Sequence, residues 1–133
     1  MRKEFARNIK SLESVFDFLH EFMSLQQMTG TTRENVDLVV EELFTNMVRH
    51  GQENSKNITI TLRNSENELS IEMEEPASIP FDITAAPEPK LDLPLEERKP
   101  GGLGIVLVRR LSDSLRHEYR EGKNIITVTK RLE

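Results

Sequence analysis

Glu41-Glu42-Leu43-Phe44-Thr45-Asn46-Met47-Val48-Arg49-His50 is the stretch on which the fold turns. Val36, Val39, Val40, Leu43, Phe44 and Met47 recur at three- and four-residue spacing and predict one apolar face of a helix. Thr31-Thr32-Arg33-Glu34 has the order of a capping box, which places the helix start there, and Gly51 stands where a helix should stop. At about 100° per residue, Glu42 and Asn46 lie about 40° apart and one turn along the axis, with Arg49 close by. They border the apolar stripe, whereas Glu41 points away from it. A carboxylate there can serve as a general base, and a carboxamide oxygen can share Mg²⁺ with nucleotide phosphates. Equally, an ordinary amphipathic helix carries such pairs along its polar edge.

Upstream, Leu12, Val15, Phe16, Leu19, Phe22 and Met23 predict an earlier helix with Ser11 as its N-cap, fading near Thr29-Gly30. A short edge strand is expected before it, around residues 4–9. Downstream, Ile58, Ile60 and Leu62 alternate with Thr59, Thr61 and Arg63. Across a turn at 64–67, Leu69, Ile71 and Met73 alternate with Ser70, Glu72 and Glu74. That is a hairpin with one face buried and one wet. Ile105-Val106-Leu107-Val108 is apolar nearly all round and predicts a helix lying on a sheet. A last hairpin joins 115–120 to 124–130 through Glu121-Gly122-Lys123. All six prolines (Pro76, Pro80, Pro87, Pro89, Pro94 and Pro100) fall between the two periodic blocks. The element order gives an α+β two-layer sandwich, its helices on one face of a mostly antiparallel or mixed sheet, as a single domain over residues 1–133.

Composition narrows the function. Among 133 residues, 18 Lys and Arg stand against 23 Asp and Glu, a formal charge of -5, which argues against a nucleic-acid binder needing a basic face. The absence of cysteine removes disulfides, thiolate catalysis and cysteine metal sites, and three scattered histidines (His20, His50, His117) form no ligand cluster. No apolar run is long enough to span a membrane, and the start has no signal-peptide core, so a cytoplasmic protein is expected.

Two further features bear on chemistry. Gly101-Gly102-Leu103-Gly104 opens a helix, and free amides at a helix start suit an anion; glycines ending a mobile loop are the plain alternative. The proline-bearing segment 82–101 is long enough to be a lid over a site, or else a solvated linker.

In order and spacing, these elements resemble the GHKL (Bergerat-fold, histidine-kinase-like) ATPase domain, most closely the stand-alone anti-sigma-factor serine/threonine kinases of bacterial partner-switching systems. Residues 42–51 are similar to the N box of that family. Gly102-Leu103-Gly104-Ile105, after Leu95-Glu96-Glu97-Arg98, is similar to its second glycine box, and Thr127 to Leu132 to its closing strand. The likeness runs from about residue 10 to the end. It lacks the phosphoacceptor helix pair of a sensor histidine kinase.

The resemblance implies ATP and Mg²⁺ as ligands, with Glu42 as the catalytic base and Asn46 holding the metal together with the phosphates. It places Arg49, His50, Glu75, Arg98, Gly102, Leu103 and Gly104 around the nucleotide, under the lid. It further implies a sigma factor or similar regulator and an anti-anti-sigma, STAS-like protein as partners, with a serine or threonine of the latter phosphorylated, and allows a homodimer. In one place the chain departs from the pattern. Where the family has Asp-x-Gly to read the adenine amino group, Glu74-Glu75-Pro76-Ala77-Ser78 stands here. Glu75 is one methylene longer and no glycine follows. The alternative is therefore a non-catalytic, partner-sequestering regulator of the same fold with a degenerate adenine box.

Overall fold

The computed structural model describes residues 1–28, 30–50, 56–82, 84 and 102–132. The expected helix stop at Gly51, Arg98 and nearly all of the expected lid lie outside the described residues.

The chain begins with strand β1 (Arg2–Phe5), followed by a 3-10 turn at Ile9–Ser11 and helix α1 (Leu12–Leu25). β1 sits earlier than the sequence suggested. The Asn8 side chain accepts a hydrogen bond from Lys10 N (2.8 Å) and starts the 3-10 turn, so the extended chain cannot run on to residue 9. Ser11 precedes α1 as expected, yet its hydroxyl donates to the Ala6 carbonyl (2.9 Å) and does not cap the helix. α1 also ends sooner than expected. Gln27 takes a left-handed φ of 59° and Met28 N donates back to Met23 O (2.8 Å), closing the end in the Schellman manner without glycine. Helix α2 (Gly30–His50) starts one residue ahead of the threonine pair.

Strands β2 (Ile58–Ser65) and β3 (Glu68–Pro76) form the first hairpin, and β4 (Ser114–Arg120) and β5 (Lys123–Arg131) the second; helix α3 (Gly102–Leu111) lies between them. Both turns are tighter than expected. Glu66-Asn67 (φ 52° and 62°) and Glu121-Gly122 (φ 55° and 74°) are two-residue connections in the left-handed region, whose twist matches that of the flanking strands. The sheet order is β1-β2-β3-β5-β4, and every pairing is antiparallel.

One face of the sheet carries Ile60, Leu62, Ile71, Met73, Ile126 and Val128 against the helices. α1 contributes Val15, Phe18, Leu19, Phe22 and Met23, α2 its expected stripe, and α3 Ile105 and Val108. Phe18, which the sequence stripe omitted in favour of the half-buried Phe16, meets Phe5 edge-on at 5.6 Å and so fastens β1 to α1. Burying each large apolar side chain is worth about 1.5–3 kcal/mol. The opposite face is polar: there Glu74 is flanked by Arg2 (3.4 Å) and Lys123 (3.7 Å).

Candidate functional site

β3 ends, and β2 and β5 begin, beside the C-terminal turns of α2. Among the described residues singled out from sequence, Asn46, Arg49, His50 and Glu75 lie at this end, while Glu42 stands further back along α2.

Glu42 and Asn46 lie one turn apart on α2, as helical geometry requires. The first turn of α3 packs directly on Glu42: a Cβ built on Gly104 would lie 2.6 Å from the Glu42 Cδ and still closer to Oε2. With the carboxylate in this position, the first turn of α3 has room for a glycine at 104 and for no larger residue. The structure thus joins two features 60 residues apart in sequence, the helix carboxylate and the glycine turn. Gly102 and Leu103 stand in the same first turn, at the helix end where amides lack partners in their own helix.

Asn46 is not at the edge of the core but inside it, 2 % exposed. Its Oδ1 accepts one long hydrogen bond from Arg49 Nη1 (3.4 Å), and its Nδ2 is buried with no partner among the described residues. An unpartnered buried amide costs about 1–3 kcal/mol, so such a group in a core calls for a ligand. Among the described residues, no three acidic, histidine or cysteine side chains converge on a metal position. A divalent cation here would complete its shell with water and phosphate oxygens, and Asn46 is suited to share it with them. The orphan amide and the glycine-lined approach fit a phosphate ligand.

His50 ends α2 with its ring 4.7 Å from that of Phe81. Burial, and then the neighbouring Arg49 charge, hold the imidazole below its ordinary value of 6.5. Phe81 is positioned from β5: its N–H donates to Asn124 Oδ1 (3.0 Å), which also accepts from His117 Nε2 (2.9 Å). Tyr119 donates to the Ala77 carbonyl (2.8 Å). Residues 77–81 are thereby laid along the β4–β5 hairpin. Sequence reasoning passed over Asn124, His117 and Phe81, because only the pairing of β3 with β5 brings them beside Glu75.

Glu75 lies on the helix side of β3, opposite Asn124 in register. It is not free. Arg7 Nη1 lies 3.4 Å from its Oε1, with the side chains only 2 % (Arg7) and 14 % (Glu75) exposed. Burial pushes the Glu75 carboxyl up, and Arg7 and His117 pull it part of the way back. Arg7 was also missed: a lone arginine after an edge strand carries no signal in sequence.

The fold has known counterparts. A chain of the Pseudomonas aeruginosa SiaB–SiaC complex superposes with a TM-score of 0.70 over 98 % of this chain and 88 % of its own, at 13 % identity. A Mycobacterium tuberculosis structure of RsbU and RsbW domains superposes with a TM-score of 0.71 over 99 % of this chain, at 15 % identity. This chain spans 32 % of that longer one. At such identities the likeness is one of fold. In sequence, the serine/threonine-protein kinase BtrW of Bordetella bronchiseptica is 30 % identical over 99 residues, 73 % of this chain and 69 % of its own. Residues 5–130 match the sequence profile of the histidine kinase-like ATPase domain. The chain belongs to the histidine kinase-like ATPase family.

Proposed function

We propose that this protein binds ATP with Mg²⁺ and phosphorylates a serine or threonine of an anti-anti-sigma, STAS-like partner, while holding a sigma factor or similar regulator in its other binding mode. The observation that carries this reading is the Glu42 carboxylate against the first turn of α3, one helical turn from a buried amide without a partner among the described residues. Phosphoryl transfer needs a positioned base and charge stabilisation more than covalent chemistry. In the proposed step, Glu42 takes the proton of the partner's hydroxyl while that oxygen bonds the γ-phosphorus and ADP departs. The amides of Gly102, Leu103 and Gly104 receive phosphate oxygens, and Asn46 would hold Mg²⁺, which supplies charge neutralisation. Arg49, His50 and, from outside the described residues, Arg98 line the nucleotide.

The test is transfer of radiolabelled phosphate from ATP to a STAS-like protein of the same genome. Glu42→Gln should lower the rate by about 100-fold or more while leaving ATP affinity within about twofold. Transfer at the wild-type rate by this variant removes Glu42 from the base role.

A second reading is favoured by one observation, the Glu74-Glu75-Pro76-Ala77-Ser78 stretch that stands in place of the Asp-x-Gly of the family. On that reading the fold sequesters partners without catalysis. Calorimetry with Mg²⁺ and ATP separates the two: tight binding that Asn46→Ala abolishes supports the kinase, and no binding supports the sequestering regulator.

A further inference from the structure

The Arg7 side chain is 2 % exposed. Its guanidinium serves three separate elements. Nη1 donates to the Met47 carbonyl in the last turn of α2 (2.9 Å) and lies 3.4 Å from Glu75 Oε1 at the end of β3. Nε donates to the Lys56 carbonyl just ahead of β2 (3.1 Å). Nη2 is buried and has no partner among the described residues. Met47 O belongs to the last four carbonyls of α2, which the helix itself does not satisfy, and a cation there also suits the helix dipole. Asn46 immediately precedes Met47. One planar side chain therefore sets the distance between the helix turn that carries the buried amide and the strand end that carries Glu75.

We propose that Arg7 is the positioning residue of the base end of the nucleotide site, fixing the Glu75 carboxylate beside the last turn of α2 so that it accepts a hydrogen bond from the 6-amino group of a purine. This rests on the nucleotide-binding reading above. Glu75 has one more rotatable bond than an aspartate, and an untethered glutamate loses more freedom on engaging a ligand. The rigid fork of Arg7 removes that freedom in advance. Lysine cannot replace it, because one ammonium on a flexible stem cannot hold three acceptors in one plane. The charge of Arg7 also opposes the burial that favours the protonated carboxyl, and only the ionised carboxylate has both oxygens free to accept.

The experiment compares the affinities of ATP and purine riboside triphosphate, which lacks only the 6-amino group, by calorimetry with Mg²⁺. A charge-assisted hydrogen bond predicts that wild type prefers ATP by about tenfold or more. In Arg7→Lys this preference should fall to about twofold or less, with affinity for the analogue changed by less than about threefold. The double variant Arg7→Met/Glu75→Met replaces the buried pair with apolar side chains of similar length, which a fold commonly tolerates, and should show no preference. A merely structural Arg7 would weaken both ligands equally and leave the preference intact; that result in either variant overturns the proposal. Wild type binding both ligands equally overturns it too, while the nucleotide reading stands. Wild type binding neither ligand removes the nucleotide reading, and this proposal with it.

Discussion

His50 shows how much of this site is decided by one ring and its cover. The imidazole is the last residue of α2, 4.7 Å from Phe81, and burial followed by Arg49 lowers its proton affinity. The unfolded chain then binds the proton more readily than the native one. Above the ordinary value of 6.5 the ring is neutral in both states, so its contribution to stability is fully present; it declines as pH falls through the depressed native value. At neutral pH His50 is thus an uncharged hydrogen-bonding group, and the positive charge of that helix end comes from Arg49. Phe81→Ala should raise the His50 titration midpoint toward 6.5, followed by NMR of its ring protons. A midpoint that stays where it was would assign the depression to Arg49. From sequence the pairing could not be foreseen, since the Phe81 amide is held by Asn124, 43 residues further on.

At the scale of elements, the helix periodicities of α1, α2 and α3 and the period-two alternation of the hairpins were legible, because each element has one buried face. What was not legible came from interactions between elements. β1 is too short to show alternation, and its end is set by Asn8 and by Phe5 packing on Phe18. The α1 terminus was hidden because a glutamine, not a glycine, takes the left-handed position. Helical geometry placed Asn46 correctly beside Glu42 but assigned it to a border; its burial depends on what packs around α2. The α2–α3 contact yields a separable prediction. In Gly104→Ala the new methyl meets the far end of a flexible side chain, so the Glu42 carboxylate can swing aside while both helix backbones stay in place. Alanine is also the better helix former by about 0.5–1 kcal/mol. The variant should melt at or above the wild-type temperature yet lose about 100-fold or more in phosphoryl transfer, as expected when a positioned base is displaced. A marked fall in melting temperature would mean that the helices themselves had been forced apart.

At the scale of the whole molecule, the core carries Asn46 and Arg7 nitrogens that have no partner among the described residues, the arrangement expected of a core that a ligand completes. Binding free energy for such a ligand is then partly the recovery of hydrogen bonds that the native fold forgoes. That Glu42 and Asn46 lie one turn apart on α2 was legible from helical spacing, and Gly104 stood out as a glycine at a helix start; Arg7 was not legible, since its partners are contributed by three elements distant in sequence. A ligand bound only by the native state at 100 times its dissociation constant adds about 2.7 kcal/mol, which for a domain of this size raises the melting temperature by roughly 10 °C. Mg²⁺ with ATP should produce such a shift in wild type. Asn46→Ala deletes an amide whose one hydrogen bond among the described residues is long, so its unliganded melting temperature should stay close to wild type, while most of the nucleotide-induced shift disappears. If the alanine variant melts many degrees lower without ligand, Asn46 is holding the fold and the incomplete-core argument fails. If it keeps the full shift, the buried amide has no part in nucleotide binding, and the search for the metal-holding oxygen must move to another residue of α2.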